Sequence, residues 1–267
     1  WVPDEQEAVT AVRQSLERLI DWPCDVRTRW SEKNLGCGLA VKTAIDWFFE
    51  NETEGIILED DTVPNASFFS FATELLHRYR NDSSVGMITG TNHTRVRPRT
   101  ASYLFSRNRR PWGWAGWASS WQAMDYEMSW RKAGRTDEVL RRMGVSRRQR
   151  PHWQRALGAI DSGAVDAWDW QWFFSMAANG LLTATPSENL VANIGFRPDA
   201  THTRGRGRPE FARTKELSFP LVHPKEVVLN DEYDAAFERL LVGPRWRRLA
   251  SGLQRRVVRF MDAEASN

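Results

Sequence analysis

Apolar and polar positions alternate along the chain in patterns that predict its elements. Over PDEQEAVTAVRQSLERLID, Val9, Val12, Leu16 and Leu19 recur at spacings of three and four. Asp4 and Glu7 open that stretch like a capping box, which predicts a helix. CDVRTRW alternates with period two, as a short strand does. The turn-like EKNLGCG then leads into a second helix with Leu39, Ile45 and Phe48 on its apolar face. GIILE is a continuous apolar run bounded by Gly55 and by acid, the pattern of a central strand covered on both faces. After Pro64, Asn65 is placed to cap a helix over ASFFSFATELLHRYR, and VGMITGTN reads as another buried strand.

This β, α, β, α, β order predicts an α/β layer architecture with a mostly parallel sheet flanked by helices. From residue 101 the pattern changes. SYLFSR is strand-like, RPWGWAGWASSW holds Trp112, Trp114, Trp117 and Trp121, and 137–157 is a polar, arginine-rich helical stretch. WDWQWFFSMAANG predicts a helix opening at Asp169 and closed by Gly180, followed by a strand over LLTATP and the segment NLVANIGF. Three regions are therefore expected: 1–100 and 101–225 as two halves of the folded body, and 226–267 as a helical tail. In the tail, Leu249, Leu253, Val257 and Phe260 form an apolar stripe bordered by arginines over 244–260. Such a basic amphipathic helix docks on the protein or lies on an anionic membrane surface.

Composition narrows the reading. At 267 residues, 41% hydrophobic, the chain can bury a sizeable core. A formal charge of +3 is too mild to define a nucleic-acid protein, and acids interleave with the arginines of RRMGVSRRQR and the tail. No nucleic-acid partner is expected, although an arginine-rich binding module is the non-enzymatic alternative. Cys24 and Cys37 lack metal-ligand spacing, so reduced thiols in a cytoplasmic protein are expected, peripheral at the inner face of the membrane if the tail binds lipid.

The candidate chemistry starts at Glu59, Asp60 and Asp61. Three consecutive carboxylates at the end of an apolar run make either a solvated turn or a site awaiting a cation. Mg²⁺ and Mn²⁺ are commonly held by one or two carboxylates plus substrate phosphates. In open α/β sheets ligands bind beyond the carboxyl ends of the strands, where these acids fall. A divalent-metal nucleotidyltransferase or phosphohydrolase would use the same acids.

The ordered set NLGCG, GIILEDDTVPNASFF, WGWAGW, WDWQW and NLVANIGFRPDATHT resembles the GT-A class of nucleotide-sugar glycosyltransferases. It is most similar to bacterial relatives of the N-acetylglucosaminyltransferases, whose metal motif is likewise Glu-Asp-Asp. The resemblance spans roughly residues 2–205. It implies a GT-A, Rossmann-like fold and an inverting, metal-dependent transfer from a nucleotide-diphosphate sugar, a UDP-sugar being the expected donor. The acceptor would be a glycan, a lipid-linked sugar or a small molecule. Asp61 would coordinate Mn²⁺ or Mg²⁺ bridging the diphosphate, with Glu59 and Asp60 facing ribose or sugar. Asp169, otherwise a plain helix cap, would take the proton from the acceptor hydroxyl, with Asp166 as the fallback. His202 would complete the metal shell, Arg204 would sit in a loop closing over the donor, and Asn34 would lie near the nucleotide. One or two of the tryptophans would stack on sugar. Similar proteins carry a strand and helix with nucleotide contacts ahead of the segment matching PDEQE. This implies either a piece of a longer polypeptide or an incomplete base pocket.

Overall fold

The computed structural model describes residues 3–107, 109–147, 149–196 and 209–242. Two helices come first, α1 (Pro3–Leu19) and α2 (Gly36–Asn51), then β1 (Glu54–Ile57), β2 (Thr62–Pro64), α3 (Ala66–Tyr79) and β3 (Val85–Thr89). The chain continues through β4 (Tyr103–Ser106), β5 (Trp114–Trp117), α4 (Ala118–Trp121), α5 (Ser129–Lys132), α6 (Thr136–Arg142) and α7 (Arg150–Asp161). It closes with α8 (Asp169–Ala178), β6 (Leu182–Pro186), β7 (Val191–Asn193), α9 (Pro209–Ala212) and α10 (Asp231–Val242). Asn65 caps α3 as expected, its side chain accepting the Phe68 amide at 3.2 Å. Gly180, at φ 70°, ends α8.

The main sheet has the order β1-β5-β3-β6-β4, and a separate two-stranded ribbon joins β2 to β7. The expectation of a mostly parallel sheet is overturned. Only β3 and β6 pair in parallel; β1–β5, β3–β5 and β4–β6 are antiparallel. The reason lies in the interleaving. β1 and β3 both run opposite to β5, hence parallel to each other as a β-α-β unit demands, but β5 enters between them, with Ile57 opposite Trp114 on one side and Ile88 opposite Ala115 on the other. β1 is accordingly an edge strand of intermediate burial, not a central one. CDVRTRW forms no strand: Val26 and Trp30 are 49% and 43% exposed, and alternation without a pairing partner makes no sheet.

The sheet is covered on both faces. Phe68, Phe71 and Leu75 of α3 pack on Val85, Ile88, Ala115 and Trp117. On the other face Ile45 and Phe49 of α2 and Trp168, Trp172 and Met176 pack on Met87 and Trp114. Period two along β5 puts Trp114 on one side and Ala115 on the other. Along β3 a register shift between Val85 and Met87 returns Ile88 to the α3 face. Helix α8 is apolar all round because it is enclosed: Trp172 and Met176 face the sheet, while Phe174 and Ala177 join Trp130, Leu140, Trp153 and Leu157 of α5–α7. Tyr233 and Phe237 of α10 pack on Leu104 of β4. Among the described residues no helix is long and apolar enough to cross a membrane. The segment 244–260 lies outside the described residues.

Candidate functional site

The three acids sit on a closed turn. Thr62 donates from its amide and its hydroxyl to the Glu59 carbonyl, at 3.1 and 2.8 Å, while the Glu59 amide donates to the Thr62 hydroxyl at 2.9 Å. This loop of reciprocal bonds ends β1 and turns the carboxylates to one side before the chain enters β2. The β2–β7 ribbon then fixes Asp61 from behind, through the Ile194 amide on the Asp61 carbonyl at 2.8 Å and the Asn193 side chain on its carboxylate. Gly195 lies so close that a Cβ there would stand 2.1 Å from Asp61 Oδ2, which is why only glycine fits.

Two helix N-termini meet the turn. At α2, Asn34 Oδ1 accepts the Gly36 amide at 2.9 Å, and Asp166 accepts the amides of Cys37 and Gly38, both at 2.9 Å. Asp166 thus caps a helix more than a hundred residues away in sequence, and the glycines of NLGCG leave room for it: a Cβ on Gly36 or Gly38 would fall 2.2 or 2.6 Å from its oxygens. Asp169 is the first residue of α8, one position inside the helix rather than at its cap, Trp168. There its charge complements the helix dipole.

The electrostatics identify the cluster. Burial, then Asp61 and Asp169, push the Glu59 carboxyl up to about 7, against a hydrogen bond from the Trp168 indole. Burial and Asp60 raise Asp61, opposed by Asn193. Cys37 feels the same field: burial, Glu59, Asp166 and Asp169 raise its thiol to about 11, so it stays protonated. No lysine or arginine among the described residues forms an ion pair with Glu59, Asp60 or Asp61. Among the described residues no three His, Cys, Asp or Glu side chains form a ready metal cage. Mg²⁺ and Mn²⁺ sites completed by substrate phosphates need only one or two carboxylates, and the described residues set no cation against these acids.

An apolar trough of about 460 Å³ between α2 and β1, lined by Val41, Ala44, Phe48 and Ile57, ends at Glu59 and Asp60. The structure therefore gathers Glu59, Asp60, Asp61, Asp166 and Asp169, with Asn34 at the neighbouring helix start. His202 and Arg204 lie outside the described residues. Of the tryptophans, Trp114, Trp117 and Trp121 are buried core, while Trp112 is half-buried beside a second cavity. Sequence reasoning missed Asn193 and Trp168, whose only signals were their places inside NLVANIGF and next to Asp169. No protein-family model matches the chain, and no curated protein matches it either.

Proposed function

We propose that the chain is an inverting, metal-dependent glycosyltransferase of GT-A type, moving a sugar from a nucleotide-diphosphate donor to an acceptor hydroxyl. The observation that carries this reading is the set of carboxylates at the end of β1, without an ion-pair partner among the described residues, facing a further carboxylate at the start of α8. Asp61, held by Asn193 and the β2–β7 ribbon, is the ligand for Mn²⁺ or Mg²⁺. The metal would supply positive charge to the departing nucleoside diphosphate. Glu59 and Asp60 orient the donor's hydroxyls, with Trp168 fixing the Glu59 carboxylate. Asp169 accepts the acceptor's proton as its oxygen attacks the anomeric carbon from the face opposite the leaving group. A carboxylate suffices, because the hydroxyl acidifies as its new bond forms. The trough beside Glu59 and Asp60 lies on the donor side.

The test is a thermal-shift panel of nucleoside diphosphates with and without Mn²⁺. One nucleotide should raise the melting temperature only with the metal, and Asp61→Ala should abolish that rise while leaving the unliganded melting temperature at or above wild type. If no nucleotide acts beyond metal alone, or if Asp61→Ala responds normally, the reading fails.

A further inference from the structure

Asp169 also forms part of the wall of a cavity of about 140 Å³ that it shares with Arg109, Arg110, Trp112, Trp170 and Phe173. This is smaller than the ~300 Å³ at which drug-sized ligand sites begin, and suits a single ring-sized group. Arg109 is only 2% exposed. Its Nη1 donates to the Arg107 carbonyl at 2.6 Å and its Nη2 to the Leu181 carbonyl at 3.2 Å, while its Nε has no partner among the described residues. No described carboxylate forms an ion pair with it. Asp234 attracts it but engages the Arg107 amide at 3.0 Å and the Arg107 guanidinium at 3.1 Å.

Burial lowers the Arg109 guanidinium to about 9, which leaves it cationic at neutral pH. A buried cation in the wall of a cavity, with no described carboxylate paired to it, is arranged to receive an anion from solution. Arg110, the next residue, holds its guanidinium 4.2 Å from the Trp112 ring centre and 5.6 Å from that of Phe237. Arg109 lies 5.3 Å from the Phe173 ring. Two guanidinium groups held against aromatic rings form a wall that is both cationic and flat, which matches a sugar ring bearing a charged substituent.

We propose that this pocket selects an acceptor sugar bearing an oxyanion, phosphate or carboxylate, bound by Arg109 and Arg110 while the ring lies on Trp170. The proposal rests on the assignment of Asp169 as base, since that places the pocket on the acceptor side. Asp169 repels the oxyanion, so the end of the acceptor facing it is the neutral hydroxyl end.

Binding of glucose 6-phosphate, glucuronate and glucose to the full chain, without metal or nucleotide, tests this by calorimetry. Both anionic sugars should bind at least about tenfold more tightly than glucose, and whichever is tighter names the oxyanion. Arg110→Gln should erase the difference with the melting temperature retained; Arg109→Gln serves as a second variant if folded. Asp169→Asn should strengthen anion binding. Equal affinity for glucose and the anionic sugars, or an undiminished preference in folded Arg110→Gln, overturns the proposal. Because donor and metal are absent, this result is independent of the nucleotide panel. Metal-dependent nucleotide binding without anion preference sinks the pocket alone, and anion preference without nucleotide binding sinks the transferase reading and with it the acceptor role, leaving only a pocket for anionic sugars.

Discussion

Glu59 sits where burial and three neighbouring carboxylates, Asp61, Asp169 and Asp60, act in the same direction, and the consequence can be read from the pH dependence of stability. Its carboxyl is raised from 4.5 to about 7, so the folded state holds the proton more tightly than the unfolded chain does. The stabilisation is complete below the unfolded value and is lost as pH rises through the folded one, between about 4.5 and 7. Glu59→Gln removes that dependence. In metal-free melts the variant should match wild type at the acid end and exceed it increasingly up to neutral pH; parallel curves would remove Glu59 from the shared field. Asp169 makes a different prediction. On the proposed transferase reading, Asp169→Asn leaves the metal and donor side intact, so nucleotide affinity should hold while turnover falls by about a hundredfold or more, the scale of a lost general base. Near-wild-type turnover, measured with a saturating acceptor, would move the base elsewhere. At this scale the sequence displayed the acids but not their company. Nothing in WDWQW or NLVANIGF reveals that Trp168 donates to Glu59 or that Asn193 holds Asp61, because both contacts span the fold.

Helices were the most legible elements, since a period of three to four is written locally: α2, α3 and α8 fall where Leu39 to Phe48, Asn65 and Asp169 place them. What joins them was not legible. Asp166, readable only as a spare carboxylate near Asp169, is the cap of α2, tying its first turn to the loop before α8 through the amides of Cys37 and Gly38. Losing a cap of this kind costs about 1–2 kcal/mol. Asp166→Ala should therefore lower the melting temperature, and Asp166→Asn, which keeps one acceptor oxygen, should lower it less with turnover within about tenfold of wild type. Comparison of denaturant midpoints with turnover separates cap from base, because a collapse of turnover at unchanged stability would assign the proton transfer to Asp166. Trp112 shows the same limit on the reading. Within WGWAGW its composition matches Trp114, yet one lines a cavity and the other is core, and only the position of the strand's first residue decides which.

At the scale of the molecule, the layered α/β architecture followed from the order of apolar runs, whereas the sheet order did not. Strand direction is constrained by the short helical connections, so β1 and β3 were correctly expected to run the same way. Which strands are neighbours depends on pairings nearly a hundred residues apart, such as β3 with β6, and on β5 entering from a segment whose tryptophans masked its strand character. That insertion has a testable consequence for residues 1–100 taken alone. Without β5, β1 and β3 lose their common neighbour; without β6, β3 loses its parallel partner; and without α8 and β5, Ile45, Phe49 and Met87 lose Trp114, Trp168 and Trp172. The fragment would keep α2 and α3 but expose the apolar faces that the sheet and the tryptophans cover, far more than an isolated helix pair can offset. A chain ending at residue 100 should give helical far-ultraviolet dichroism without a near-ultraviolet signal or a cooperative urea transition. The full chain should lose both signals together at one midpoint. A fragment that unfolds cooperatively would show that the first hundred residues fold without β5.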